Sequence, residues 1–192
     1  MYTIGHSNHS IERLLELLQG HAVNAVADVR SMPFSRHNPQ FNRENLQRSI
    51  KGAGMEYVFL GKELGARSED RSCFANGRLQ FDLLARGELF QKGLARLRKG
   101  METHRVALLC AEKDPLTCHR MILVCRNMRR DDVQIRHVLE DGSYEDNTES
   151  ERRLMRSLGI AENNLFATAA ELIESAYDLQ GAKIGYEEKT SA

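Results

Sequence analysis

The chain has no tryptophan, three prolines and only four cysteines in 192 residues. Cys73, Cys110, Cys118 and Cys125 are too few for the dense disulfide framework of a small secreted domain, so they are expected as free thiols in a reducing compartment, the cytoplasm. No apolar stretch approaches the ~18 residues that a membrane helix needs, and Met1-Tyr-Thr-Ile-Gly-His lacks the charged-then-apolar layout of a secretion signal. No membrane partner is therefore expected. Neither GxxxxGK followed by Ser or Thr nor GxGxxG occurs, which removes the phosphate-binding P-loop and the classical dinucleotide fingerprint. What remains, 41% hydrophobic and 28% charged, is the composition of a globular chain long enough for one domain of ordinary size.

The formal net charge is zero, but the charge is unevenly distributed. Residues 140–192 carry 12 acidic and 5 basic side chains, which leaves 22 basic and 15 acidic in residues 1–139, 17 of the basic ones being Arg. Guanidinium groups present a planar fork of donors suited to phosphate or carboxylate, so the front is a candidate anion binder. An acidic C-terminal segment folded against a basic front accounts for the same numbers equally well.

Short apolar runs alternate with longer segments of helical period, the pattern of βαβ units and a mainly parallel sheet. Five strands are expected, at Tyr2–Gly5, Val23–Val29, Tyr57–Leu60, Arg105–Cys110 and Val133–Leu139. Helices are expected over Ser10–Leu18, Arg43–Lys51, Leu79–Lys99 and Thr117–Met128, then over Glu149–Leu158 and Thr168–Tyr177. The fold class is thus α/β, a single three-layer Rossmann-like domain. Residues 1–140 form its core and 141–192 an acidic helical extension packed on the same domain. Two connections, Arg30–Asn42 and Gly61–Arg78, exceed the ~2 to 6 residues usual in such folds and are candidate site loops.

Ligands of open parallel sheets bind at the carboxyl ends of the strands. There the sequence is unusually polar: Gly5-His6-Ser7 after the first strand, Asp28-Val29-Arg30 running into Ser35 and Arg36 after the second, and Cys110-Ala-Glu112 running into Cys118-His119-Arg120 after the fourth. Thr3-Ile-Gly-His-Ser7, Asp28-Val-Arg-Ser-Met-Pro-Phe-Ser-Arg36 with Pro39 and Phe41-Asn42, Leu60-Gly-Lys-Glu-Leu-Gly65, and Cys110-Ala-Glu-Lys-Asp-Pro-Leu-Thr-Cys-His-Arg120 together resemble the bacterial and archaeal family catalogued as domain of unknown function 488. The resemblance implies a Rossmann-like α/β domain with its site at these four blocks, and names no reaction.

The residue chemistry supplies roles. His6 suits a general base at the rim or a histidine satisfied by a tight turn, and Asp28 suits orienting Arg30 or His6 or capping a turn. Glu112 is a further catalytic candidate. Arg30, Arg36 and Arg120, with the hydroxyls of Ser7 and Ser35, are the candidates for clamping an anion. Cys118, with Thr117 as N-cap, would open a helix whose dipole favours a thiolate. His119 or His6 would then serve as its base, or Cys118 is simply a packed small residue. Cys110, Cys118, His119, Glu112 and Asp114 also contain zinc-type ligands. Seven residues separate the two cysteines, however, and no second closely spaced pair exists, so no metal is assigned. In outline the strand, loop and helix are similar to rhodanese-type sulfurtransferases and cysteine phosphatases, but six residues beyond Cys110 stands Leu116, not Arg. Nucleic acid is a further candidate partner through Phe34, Phe41, Tyr57 and Phe59 interleaved with arginine.

The expected function is binding, or an enzyme acting on, a phosphate-bearing, nucleotide-like or nucleic-acid-linked anion at the strand-end rim. A cysteine-dependent sulfur, redox or acyl-type transferase using Cys118 and a non-catalytic anion sensor are the alternatives. The cofactor and the oligomeric state are left open.

Overall fold

The computed structural model describes residues 1–129, 133–162 and 165–187. Among these, β1 (Tyr2–Gly5), β2 (Ala25–Asp28), β3 (Glu56–Phe59), β6 (Val106–Cys110), β7 (Arg136–Val138) and β8 (Tyr144–Asp146) form one sheet in the order β3-β2-β6-β1-β7-β8. Every neighbouring pair is parallel except β7 with β8. A separate two-stranded hairpin joins β4 (Phe74–Ala75) to β5 (Arg78–Leu79). The helices are α1 (Ile11–Gly20), α2 (Arg43–Gly52), α3 (Gly61–Leu64), α4 (Phe81–Arg86), α5 (Glu88–Met101), α6 (Arg126–Met128), α7 (Asn147–Ser157) and α8 (Ala169–Ile184).

Successive side chains of a strand point to opposite faces, and this alternation sorts the core into two layers. Ile4, Val26, Ala107 and Leu109 pack with Leu14, Leu17 and Leu18 of α1 and Leu46 and Ile50 of α2. Ala25, Ala27, Val106 and Leu108 pack on the other face with Phe90 and Leu94 of α5, Leu154 of α7 and Tyr177 of α8. The result is the expected three-layer α/β arrangement. The segment after residue 140 supplies β8 to the sheet, and Leu154, Leu172, Ala176 and Tyr177 to the core.

Three expectations need correction. The central sheet has six strands rather than five, because Tyr144-Glu-Asp146 pairs antiparallel with β7. It carries no apolar alternation, being a partly exposed edge, and so reads as loop. The long helix expected over Leu79–Lys99 is divided at Gly87, whose extended backbone separates α4 from α5. The Gly61–Arg78 connection contains α3 and most of a hairpin.

The uneven charge is partly spent inside the fold. Arg126 pairs with Glu174 and Asp178, Arg129 with Glu151, Arg136 with Asp146, and Lys113 with Glu140. The acidic C-terminal segment thus meets cations of the front, each exposed pair contributing no more than about 1 kcal/mol. None of the helices among the described residues is long and apolar enough to cross a membrane.

A buried polar chain connects the sheet to α7 and α8. Thr3 Oγ1 lies 2.8 Å from His137 Nδ1, His137 Nε2 lies 3.0 Å from Asn147 Oδ1, and both Asn147 Nδ2 and Tyr177 Oη donate to Glu151 Oε1. The direction of the bonds is fixed from the Asn147 end: Asn147 Oδ1 can only accept, so His137 Nε2 carries the proton, and Nδ1 of the neutral ring accepts from the Thr3 hydroxyl, whose oxygen also accepts from Arg120 Nε. Burial, reinforced by the charge of Arg120, lowers the pKa of His137 to about 4. The unfolded chain, with an ordinary value of 6.5, therefore binds a proton that the folded chain refuses, and stability falls as the pH drops from 6.5 toward 4. Chemical denaturation across that window should give a slope for wild type steeper than for His137→Gln by up to about 1.4 kcal/mol per pH unit. Parallel stability curves for the two proteins would refute this assignment.

Candidate functional site

β6 lies between β2 and β1, and the chain leaves these strands in different directions. After β1 and β2 it turns to α1 and α2 on one face, whereas after β6 it turns to the helical segment 120–128 on the other. This opens a crevice at the strand ends, the topological position where ligands of doubly wound sheets bind. Its walls approach closely. A Cβ at Gly5 would lie 1.8 Å from the carbonyl oxygen of Glu112, and one at Gly61 would lie 2.0 Å from that of Arg30. These two glycines of the quoted blocks are thus required by backbone contact. Ser7 takes a left-handed conformation, φ 46°, with its N–H donating to Ala111 O at 2.9 Å.

Two cavities share the crevice. One, of about 330 Å³, is bordered by His6, Ser7, Arg30, Phe34, Ser35 and Glu112. The other, of about 280 Å³, is bordered by Arg30, Arg67, Cys110, Glu112, His119 and Tyr186. Arg30, Met32, Ala111 and Glu112 belong to both. A larger cavity of about 420 Å³ lies by α4 and α8, but its Arg126 is engaged with Glu174 and Asp178, and it receives none of the strand-end groups.

Arg30 is held in place from beneath. Asp28, fully buried, accepts from Arg30 Nε and Nη2 at 2.9 and 2.7 Å, from the Arg30 backbone N–H, and from Tyr57 Oη at 2.8 Å. Arg30 Nη1 donates to His6 Nε2 at 3.1 Å, and His6 Nδ1 donates to Ser7 O. The His6 ring stacks on Phe41 with 4.2 Å between centroids. Burial and the neighbouring guanidinium lower the pKa of His6 to about 4, so the ring is neutral near pH 7 and its free lone pair is occupied by Arg30. In this arrangement His6 and Asp28 position Arg30. Of the five N–H bonds of that guanidinium, two have no partner among the described residues.

A second cluster lies beside it. Glu112 is exposed as a residue, yet its Oε2 turns inward to lie 3.0 Å from Cys110 Sγ and 3.1 Å from Cys118 Sγ. His119 Nε2 lies 3.0 Å from Val29 O, which makes it the protonated nitrogen, and Nδ1 faces Cys110 Sγ at 3.6 Å. Burial pushes the Cys110 thiol well up, and the adjacent Cys118 adds to this. At Cys118 burial acts the same way but is outweighed by the hydrogen bond with Cys110 and by the charge of Arg120, and the thiol is held well below its ordinary value. Burial and the Cys118 sulfur raise the Glu112 carboxyl.

Arg120 is fully buried behind this cluster. Its Nη1 donates to Glu112 O at 2.5 Å, Nη2 to Lys113 O at 2.9 Å, and Nε to Thr3 Oγ1 at 3.3 Å.

The fold therefore brings His6, Ser7, Arg30, Ser35, Glu112 and His119 to one crevice, with Asp28 under Arg30 and Cys118 under Glu112. Arg36 is exposed on the loop and borders neither cavity. The expected clamp of Arg30, Arg36 and Arg120 is not assembled, because Arg120 has no exposed surface and, like Arg36, borders neither cavity, its guanidinium donating to two backbone carbonyls and the Thr3 hydroxyl. The Ser35 hydroxyl accepts from the N–H groups of His37 and Asn38 and so braces its loop. The expected helix start is also displaced. Pro115–Thr117 is a 3₁₀ turn, and Cys118 is extended at φ −124° and ψ 136°. Its carbonyl accepts from Met121 and Ile122, and its sulfur from Arg120 N at 3.4 Å, so Cys118 rather than Thr117 caps the π-helical stretch Arg120–Cys125. Asp114 caps Leu116 and pairs with Arg153, outside the cysteine cluster. Of the proposed stacking aromatics, Phe41 and Tyr57 are buried and Phe59 lies under Arg43, leaving Phe34, 68% exposed, at the crevice. Tyr57 as the second anchor of Asp28 carried no local signal, since its partner lies 29 residues away.

Fold and site together define a three-layer α/β domain with a strand-end crevice at its switch point. The chain belongs to the family described as domain of unknown function DUF488, whose model matches residues 10–126, more than half of the chain. The first quoted block, Thr3–Ser7, precedes the matched span, and the other three fall within it. Neither the curated proteins nor the solved structures contain a match.

Arg120→Lys tests the buried arginine. One ammonium cannot reach both carbonyls and the threonine, and a buried acceptor left unpaired costs about 1–3 kcal/mol. Equilibrium denaturation should show a loss of at least that size. A variant as stable as wild type would mean that the loop 111–114 does not depend on the guanidinium.

Proposed function

We propose that this chain binds a phosphate-bearing, nucleotide-like molecule in the strand-end crevice, with Arg30 as the anion receptor. The observation that carries the reading is the state of Arg30: a guanidinium oriented by Asp28, Tyr57 and His6, only 7% exposed yet bordering both cavities, with two N–H donors that have no partner among the described residues. Such pre-orientation lowers the entropic cost of recognising an anion. The exposed Phe34 and Met32 beside it, 68% and 64% accessible, offer an apolar platform for a base, whereas the Tyr186 ring on the far side lies under Arg67. Two adjoining cavities of about 330 and 280 Å³ suit a small ligand better than a duplex.

A group transfer through Cys118 has less support, because its sulfur lies beneath Glu112 and the residue has no exposed surface. A sensor without turnover uses the same crevice, and analysis of nucleotides after incubation with the protein separates it from an enzyme. The four buried free cysteines fit a reducing compartment such as the cytoplasm.

A ligand that binds only the folded state stabilises it by RT ln(1 + [L]/Kd), roughly 2.7 kcal/mol at a hundredfold excess over Kd. Phosphate and a panel of nucleotides should raise the melting temperature above that in chloride at matched ionic strength. Arg30→Gln should abolish the increment, and Arg36→Ala should leave most of it. An equal increment in wild type and Arg30→Gln would exclude Arg30 as the receptor.

A further inference from the structure

The cluster next to Arg30 has a feature that the anion reading does not use. Cys110 Sγ, Cys118 Sγ, Glu112 Oε2 and His119 Nδ1 all lie within 4.8 Å of one another. Two come from the end of β6 and the residue after next, the other two from the start of the π-helical stretch, so four donor atoms from opposite ends of one loop face a common point. We propose that these four residues form a binding site for a zinc-class divalent cation.

Donor type, distance and surroundings carry the assignment. Two thiolates, an imidazole and one carboxylate form a soft, mixed set that suits zinc and disfavours magnesium or calcium, which take oxygen ligands. Zinc sits about 2.3 Å from sulfur and about 2.0–2.2 Å from nitrogen or oxygen, so a tetrahedron of such ligands has edges of roughly 3.3–3.8 Å. Cys110 Sγ to His119 Nδ1, at 3.6 Å, already has that length, while the two sulfur-to-carboxylate distances of 3.0 and 3.1 Å need to open only slightly. The shell behind the imidazole is also in place: His119 Nε2 donates to Val29 O at 3.0 Å, which leaves Nδ1 unprotonated toward the cluster. A backbone carbonyl holding the far nitrogen is the usual support of a metal-binding histidine. Two sulfurs and a carboxylate oxygen turned toward one another repel once ionised, and a cation at their centre removes that repulsion.

Four protein donors close the coordination sphere, the pattern of a structural rather than an open catalytic zinc. The ion would tie the end of β6 to the helix start and fix the Ala111–Asp114 loop, whose Ala111 and Glu112 border both cavities. The proposal is independent of the ligand class inferred above.

The test uses the full chain, purified with reductant, stripped with a chelator and titrated with Zn²⁺ or Co²⁺ alone. One equivalent of Zn²⁺ should bind and raise the melting temperature, and Co²⁺ should give thiolate-to-metal charge-transfer absorption with the d–d bands of a tetrahedral site. Cys118→Ser and Cys110→Ser should lose the charge-transfer intensity in part and weaken Zn²⁺ binding at least tenfold, and His119→Gln should weaken it likewise. Cys125→Ala, which removes a buried cysteine outside the cluster, should bind like wild type. If the cluster variants do not fold, the wild-type cobalt spectrum and stoichiometry decide alone. Failure of reduced wild type to take up one equivalent, a cobalt spectrum without thiolate character, or full binding by Cys118→Ser would each overturn the proposal. Loss of metal binding leaves the phosphate increment of the Arg30 experiment as a separate readout.

Discussion

A guanidinium without exposed surface must find its acceptors inside the fold, and at Arg120 those acceptors are the carbonyls of Glu112 and Lys113. Much of the crevice follows from this. The loop after β6 cannot relax toward solvent without unpairing a buried cation, so it stays against β1, close enough that only glycine fits at position 5. The same side chain joins, through Thr3, the hydrogen-bond chain that runs by His137, Asn147 and Glu151 to Tyr177. It also supplies positive charge beside Cys118. One arginine thus couples the strand ends, the cysteine cluster and the C-terminal helices.

Arg30 shows the opposite use of the same side chain. Its counter-charge is a buried carboxylate rather than a pair of carbonyls, and although only 7% exposed it borders both cavities, with two N–H bonds that have no partner among the described residues. Asp28 in turn is saturated by Tyr57 and by the Arg30 backbone, so the pair behaves as a rigid unit at the end of β2. The proposed recognition of phosphate rests on this difference between an arginine that holds the loop and one that faces the cavities.

The parts of the fold legible in sequence were those with a local signature. The alternating strands, the amphipathic α1 and α2 and the polar strand ends could be read directly, and strand-end position alone brought His6, Arg30, Glu112 and His119 to one place. What could not be read depends on distance along the chain or on burial. Nothing local in Arg120 distinguishes a buried arginine from a rim arginine, and both fit an anion clamp until the carbonyls of the 112–113 loop are seen to occupy it. The helix start moved past Thr117 because the 3₁₀ turn at Pro115, capped by Asp114, ends in an extended Cys118 that takes over the capping role. The cysteine spacing argued against a metal, since seven intervening residues resemble no compact ligand pair, but the 3₁₀ turn folds that interval back and brings the two sulfurs to one carboxylate oxygen.

The central claim is that the strand-end crevice, not another surface, receives the ligand. It is tested most directly by titrating isotope-labelled protein with phosphate and with nucleotides while following backbone amide chemical shifts. The account predicts saturable shifts concentrated at Ser7, Arg30, Met32 to Ser35 and Ala111 to Glu112. Saturable shifts confined to the α4 and α8 cavity, or shifts that only track ionic strength, would contradict it.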